Sequence, residues 1–95
     1  MTTSEPDSPR LAARAVKPDA DAASPPEVLV VEPTVPAGAT LFRYAASGAV
    51  SGETWYLTAE EAQACALRDY GAGLGPWRPM PPDVRDPVAF VLGNP

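Results

Sequence analysis

The stretch Glu53-Thr54-Trp55-Tyr56-Leu57, followed by Thr58-Ala59-Glu60-Glu61-Ala62, decides the fold. Its first half is rich in β-branched and aromatic residues, the types that suit a pleated, half-buried surface. Period-two alternation places Trp55 and Leu57 on one face and Thr54 and Tyr56 on the other. Its second half is a helix start. Thr58 as N-cap with Glu61 three residues later forms a capping box, and Leu57 and Ala62 occupy the staple positions. Glu60 and Glu61 lie at the positive end of the helix dipole. The pattern predicts a helix to about Tyr70, stopped by Gly71. Ala62, Cys65, Ala66 and Tyr70 share one face of it, and their mostly small side chains let the helix approach a sheet closely.

Working upstream, Leu41–Ala46 reads as the partner strand of a hairpin. Two turn signals, Ser47-Gly48 and Ser51-Gly52, leave a tight turn or a longer Ala45–Gly52 loop as alternatives. Pro33-Thr34-Val35-Pro36 and Ala37-Gly38 read as an extended linker and turn. Val28-Leu29-Val30-Val31 is a β-branched apolar run fenced by Pro26 and Pro33, hence a strand. Proline on both flanks predicts an edge position. There the run either starts the domain's own sheet or adds to a neighbour's sheet. Val28, Leu29, Val30 and Val31 are therefore candidate partner-binding residues.

Residues 1–27 hold Pro6, Pro9, Pro18, Pro25 and Pro26, and Leu11 and Val16 are the sizeable apolar side chains after Met1. Such a segment buries too little apolar area to offset its chain entropy, and Leu11–Lys17 is too short for a stable isolated helix. It reads as an extended or disordered arm. Downstream, residues 71–87 are dense in glycine and proline and predict a long loop of the kind that often carries function. Val88–Leu92 reads as a strand returning to the sheet. The expected architecture is α+β: a small antiparallel sheet of about three to four short strands with one helix packed on it, over residues 28–95, behind an N-terminal proline-rich arm of residues 1–27. A domain this small buries only roughly 60% of its unfolded surface, so a partner or homo-oligomerisation would add to its stability.

Composition narrows the chemistry. The chain has 95 residues, no histidine and one cysteine, Cys65. Nucleophile–histidine systems are thereby excluded, as are an internal disulfide and a cysteine zinc cluster. Cys65, mid-helix on the small face, reads as a buried apolar residue. Glu60 and Glu61 are explained by helix capping, and Asp83 and Asp86 by solvated turn chemistry. Gly71-Ala72-Gly73-Leu74-Gly75 follows a helix instead of opening one and lacks a Lys-Ser/Thr ending, so it reads as a flexible connection and not as a phosphate loop. No catalytic residue, metal ligand or cofactor is expected.

Twelve acidic against seven basic side chains give a net charge of −5. Residues 1–39 carry six acids and three bases, and residues 40–95 six acids and four bases. Neither half has the basic footprint of nucleic-acid binding. Between Trp55 and Ala66 the hairpin-then-helix outline is similar to the small sheet-plus-helix DNA readers of phage integrase arms and plant AP2 domains. Those rest on basic strands, and here Arg43 stands alone on the hairpin with Glu53 near it. No run approaches a membrane span, and residues 1–10 lack a secretory apolar region. A virion or the cytoplasm is the expected location.

Trp77-Arg78, between Pro76 and Pro79, is the remaining surface candidate, because Trp and Arg are enriched at binding hot spots. Trp77 is either a lid on a small core or a partner contact. Arginine outnumbers lysine six to one, a bias of GC-rich coding sequences. The expected function is a non-enzymatic structural or assembly protein whose N-terminal arm (residues 1–27) and proline-rich loop (residues 71–87) dock on a larger protein assembly, such as an accessory or decoration protein of a phage capsid or tail. The alternative is a small acidic regulatory or inhibitory module, of immunity or anti-host type, from a high-GC bacterium or phage.

Overall fold

The computed structural model describes residues 9–17, 25–34 and 37–93. Five strands, β1 (Arg10–Ala15), β2 (Glu27–Pro33), β3 (Ala39–Tyr44), β4 (Val50–Tyr56) and β5 (Arg78–Met80), form one antiparallel sheet in the order β4-β3-β2-β1-β5. Helix α1 (Ala59–Tyr70) packs on one face of it, and a short helix α2 (Pro87–Leu92) covers β1 and β2 on the other. The fold is the expected α+β with an antiparallel sheet, and it holds one more helix and more strands than the sequence pattern announces.

The centre of the sheet is β2. Leu29 and Val31 face α1 and pack with Ala15, Ala39, Leu41, Ala62, Ala66 and Tyr70. Val28 and Val30 face the other way, toward Ala12 and Met80, with Val88, Phe90, Val91 and Leu92 of α2 against them. A strand covered on both faces reads as an unbroken apolar run. That is why four apolar residues stand in a row here, and it overturns the edge position inferred from the flanking prolines. Pro26 lies outside the strand and Pro33 is its last residue. Both sit where the ladder ends, so neither has to donate to it.

Strand β1 is the largest departure from expectation. The arm expected over residues 1–27 falls in large part outside the described residues, but Arg10–Ala15 within it is a strand paired to β2 on one side and β5 on the other. Ala12, Ala13 and Ala15 are buried. Pairing on both edges outweighs the weak strand propensity of alanine, because β-propensity is mostly a matter of context.

The Gly71–Gly75 run is not a flexible connection. It forms a 3-10 turn (Gly71–Gly73) and then runs alongside β1. The Val16 amide donates to the Gly73 carbonyl at 3.0 Å, and the Gly75 amide donates to the Arg14 carbonyl at 2.7 Å. A Cβ on Gly73 would run into the Val16 carbonyl oxygen. Three residues further on, β5 appears inside the segment expected to be irregular. Val88–Leu92 belongs to α2 and is not a strand. Asp86 Oδ1 accepts from the Ala89 amide at 3.1 Å and Pro87 takes the first turn, a cap-plus-proline start in which proline loses no helical hydrogen bond.

The hairpin between β3 and β4 follows neither alternative in full: the chain turns around Ser47-Gly48 in a loop of residues 45–49, and Ser51 and Gly52 belong to β4. Within the loop the Ala45 amide donates to Ala49 O at 2.8 Å and the Gly48 amide donates to Ala45 O at 2.8 Å, and the register shifts beside Arg43 and Tyr44. Helix α1 starts as expected. Thr58 Oγ1 accepts from the Glu61 amide at 3.0 Å, while Glu61 Oε1 accepts from the Leu57 amide at 3.2 Å. Leu57, at the staple position, is 65% exposed.

Candidate functional site

Helix α1 turns Ala62, Ala66 and Tyr70 into the core. Its flank carries Glu60, Gln63, Ala64 and Leu67, spaced i, i+3, i+4, i+7, which is one stripe on a helix. The stripe faces a second wall, Leu74-Gly75-Pro76-Trp77, and the two enclose an open groove of about 520 Å³. The wall is held by the β1 backbone through the Gly73 and Gly75 bonds and by a bridge between Ala15 and Leu74. Leu74 and Trp77 are half-buried against the α1-side core. Leu67 is 58% exposed, with Ala64 the other apolar residue of its stripe and Leu74, Pro76 and Trp77 across from it.

Trp77 therefore serves as lid and as groove wall together. Arg78 points to the opposite face, as its place in the strand requires. Its guanidinium lies 4.7 Å from the centroid of the Phe90 ring, a cation–π contact that ties β5 to α2. The two residues that the sequence pairs as one surface motif are thus separated by the sheet. Val28, Leu29, Val30 and Val31 are all at most 2% exposed, and both backbone edges of their strand are taken by β1 and β3. They offer no side chain or free edge to a partner in this arrangement.

Leu67, Leu74 and Ala64 were not singled out from sequence. The legible signal was that Leu67 falls off the small face of α1. The other wall was hidden because it depends on β1, which composition disguises.

Around the second half of α1 lies a polar cluster. Arg43 Nη2 stands 3.6 Å from Asp69 Oδ2, and Arg43 Nη1 donates to Thr54 Oγ1 at 3.4 Å. The Tyr70 hydroxyl donates to Glu27 Oε1 at 2.7 Å. Burial first, and Glu27 second, push the Tyr70 phenol up to about 12. Cys65 is half-buried, not part of the core, and Arg68 Nη2 donates to its sulfur at 2.7 Å. Hydrogen bonding with that thiol, then burial, raises the Tyr56 phenol. On the opposite face of the sheet, burial and then Glu32 raise the Tyr44 phenol. Of the two carboxylate pairs, Glu61 caps α1 and Asp86 caps α2. Among the described residues, no group of three or more His, Cys, Asp or Glu is placed to hold a metal ion, and no helix is long and apolar enough to cross a membrane.

Comparison with known proteins returns no matching family model, no matching curated protein and no matching solved structure.

Proposed function

We propose that the chain is a non-enzymatic binding module, a small acidic domain of regulatory or inhibitory type that seats an apolar segment of a protein partner in the groove between α1 and Leu74–Trp77. The observation that carries this reading is Leu67, left 58% exposed opposite a wall that ends in a half-buried tryptophan. Ala64 leaves room on the groove floor, and the volume is in the range that takes side chains. Glu60 on the rim and the net charge of −5 favour a segment with basic flanks.

An accessory or decoration role on a phage particle is the second reading, favoured by the proline- and serine-rich sequence on either side of β1. It drew on a 27-residue arm, and with Arg10–Ala15 inside the sheet it ranks below the first.

Photo-crosslinking in the native host tests the proposal. A benzoylphenylalanine at position 67 should give one discrete protein adduct, reduced by Trp77→Ala, while the same group at the exposed Ala89 should not. No adduct at 67, or the same adduct at both positions, refutes it.

A further inference from the structure

The two edges of the sheet are unlike. In an antiparallel ladder, residues alternate between turning their backbone groups toward a neighbour and away from it. The Thr34 amide donates to Gly38 O at 3.0 Å, in register with Glu32↔Thr40, Val30↔Phe42 and Val28↔Tyr44. Even-numbered residues of β3 therefore face β2, and Ala39, Leu41 and Arg43 face β4, opposite Tyr56, Thr54 and Gly52. The backbone groups of Glu53 and Trp55 are left pointing outward. At the other edge, the same alternation turns Arg78 and Met80 toward β1, in line with the Gly75–Arg14 bond, and leaves Pro79 as the outward residue. Proline has no donor, so that edge is closed to strand addition.

The open edge is also where apolar surface collects. Of the four large apolar side chains exposed among the described residues, Val50, Trp55 and Leu57 lie on β4 or next to it. Strand β4 carries no proline and a single charge, Glu53, and its one irregularity, the extra residue Ser51, lies at its start and leaves residues 52–56 in regular register, so that stretch has few of the defences of an edge strand.

We infer that β4 pairs with β4 of a second copy of this chain, antiparallel about a two-fold axis at Thr54, joining two sheets into one of ten strands. This register sets Glu53 opposite Trp55 of the other copy, twice, and so uses all the outward donors and acceptors of both residues. A register centred on Glu53 would set two carboxylates face to face, which is destabilising. On the α1 side the Thr54 axis brings two threonines together, a favourable cross-strand pair. It also places Tyr56 opposite Gly52, where a bulky ring meets a residue without a side chain. Because β5 is closed by Pro79, addition happens once and ends in a dimer, not a fibre. A second copy is the occupant that fits, since the edge is complementary to itself in this register. The inference is independent of the groove.

Sedimentation equilibrium of the full chain tests it. The expected mass is twice the chain's 9.9 kDa, falling to the monomer mass on dilution. Glu53→Pro removes only an outward donor and should give a folded monomer by circular dichroism. Should that variant unfold, a charge exchange at the axis still decides. Thr54→Lys alone and Thr54→Glu alone should each be monomeric, and an equal mixture should dimerise. A wild-type chain that stays monomeric at its highest soluble concentration overturns the inference. So does a dimer that survives Glu53→Pro in the folded state, or a mixture that fails to pair.

Discussion

The Tyr70 hydroxyl reaches Glu27 across the end of the α1-side core, and its ring is 1% exposed. An unfolded tyrosine ionises near pH 10, whereas Tyr70 in the fold holds its proton to about 12. Between those values the unfolded chain has released a proton that the folded chain keeps, so rising pH favours unfolding. The stabilisation is complete below about pH 10 and is lost as the pH passes about 12, on the order of 2 kcal/mol. Tyr70→Phe should lower stability at neutral pH by about 1 kcal/mol and flatten the alkaline decline in urea titrations. Tyr44 and Tyr56, whose phenols are also raised, leave a residual slope of the same sign. Arg10 is a second single-residue anchor. Its Nη2 donates to the carbonyls of Pro81 at 2.6 Å and Val84 at 2.9 Å, which satisfies a proline-rich turn that few backbone donors can reach. Arg10→Ala should destabilise by about 1–3 kcal/mol, the range for hydrogen bonds to charged groups, with faster amide exchange at Val84. Tyr70 stood on the expected face of its helix. Glu27 and Arg10 were not legible as its counterparts in importance, because both fell within a segment whose composition argues against order.

The join between β1 and the Gly71–Gly75 run sets the sharpest requirement on any element. Gly73→Ala would force a methyl into the Val16 carbonyl, backbone against backbone. It should destabilise by about 1–3 kcal/mol, as overpacking does, and should also perturb Trp77 fluorescence, because the groove wall follows directly. Asp86→Ala removes the α2 cap and should cost about 1 kcal/mol, read in the helical far-ultraviolet signal and in looser packing of Phe90. Strands β3 and β4 and helix α1 were legible because each carries its own local signal: alternation, turn residues, a capping box. Strand β1 was not, because Arg10–Ala15 is half alanine and owes its extended form to two neighbours distant in sequence. Strand β5 was masked by Pro79, which is tolerated only because it faces outward. Helix α2 had its cap and first-turn proline in plain sequence, but Val88 and Val91 favour a strand, and six residues give helical periodicity little room. The groove was half legible: Trp77 stood out, whereas the α1 stripe opposite did not.

The whole molecule is organised around β1. It lies between β2 and β5, and α2 rests on β1 and β2. A chain beginning at residue 17 should keep the β2-β3-β4-α1 unit but lose hydrogen-exchange protection over residues 78–92. A synthetic peptide of residues 9–17 should restore that protection when added in excess. Protection of 78–92 in the truncated chain alone would show that β5 and α2 do not depend on β1. The order in which the chain is made gives this arrangement a temporal side. Chains fold from the N-terminus as they are synthesised, yet β1, made before the other four described strands, keeps one side unpaired until Arg78–Met80 has left the ribosome. Pairing across so long a sequence separation is slow to form. Until residue 80 emerges, the nascent chain carries unpaired backbone on β1 as well as on β4. Pro79 then seals the β1 side, so the fold's safeguard against unwanted strand pairing arrives with nearly its last element.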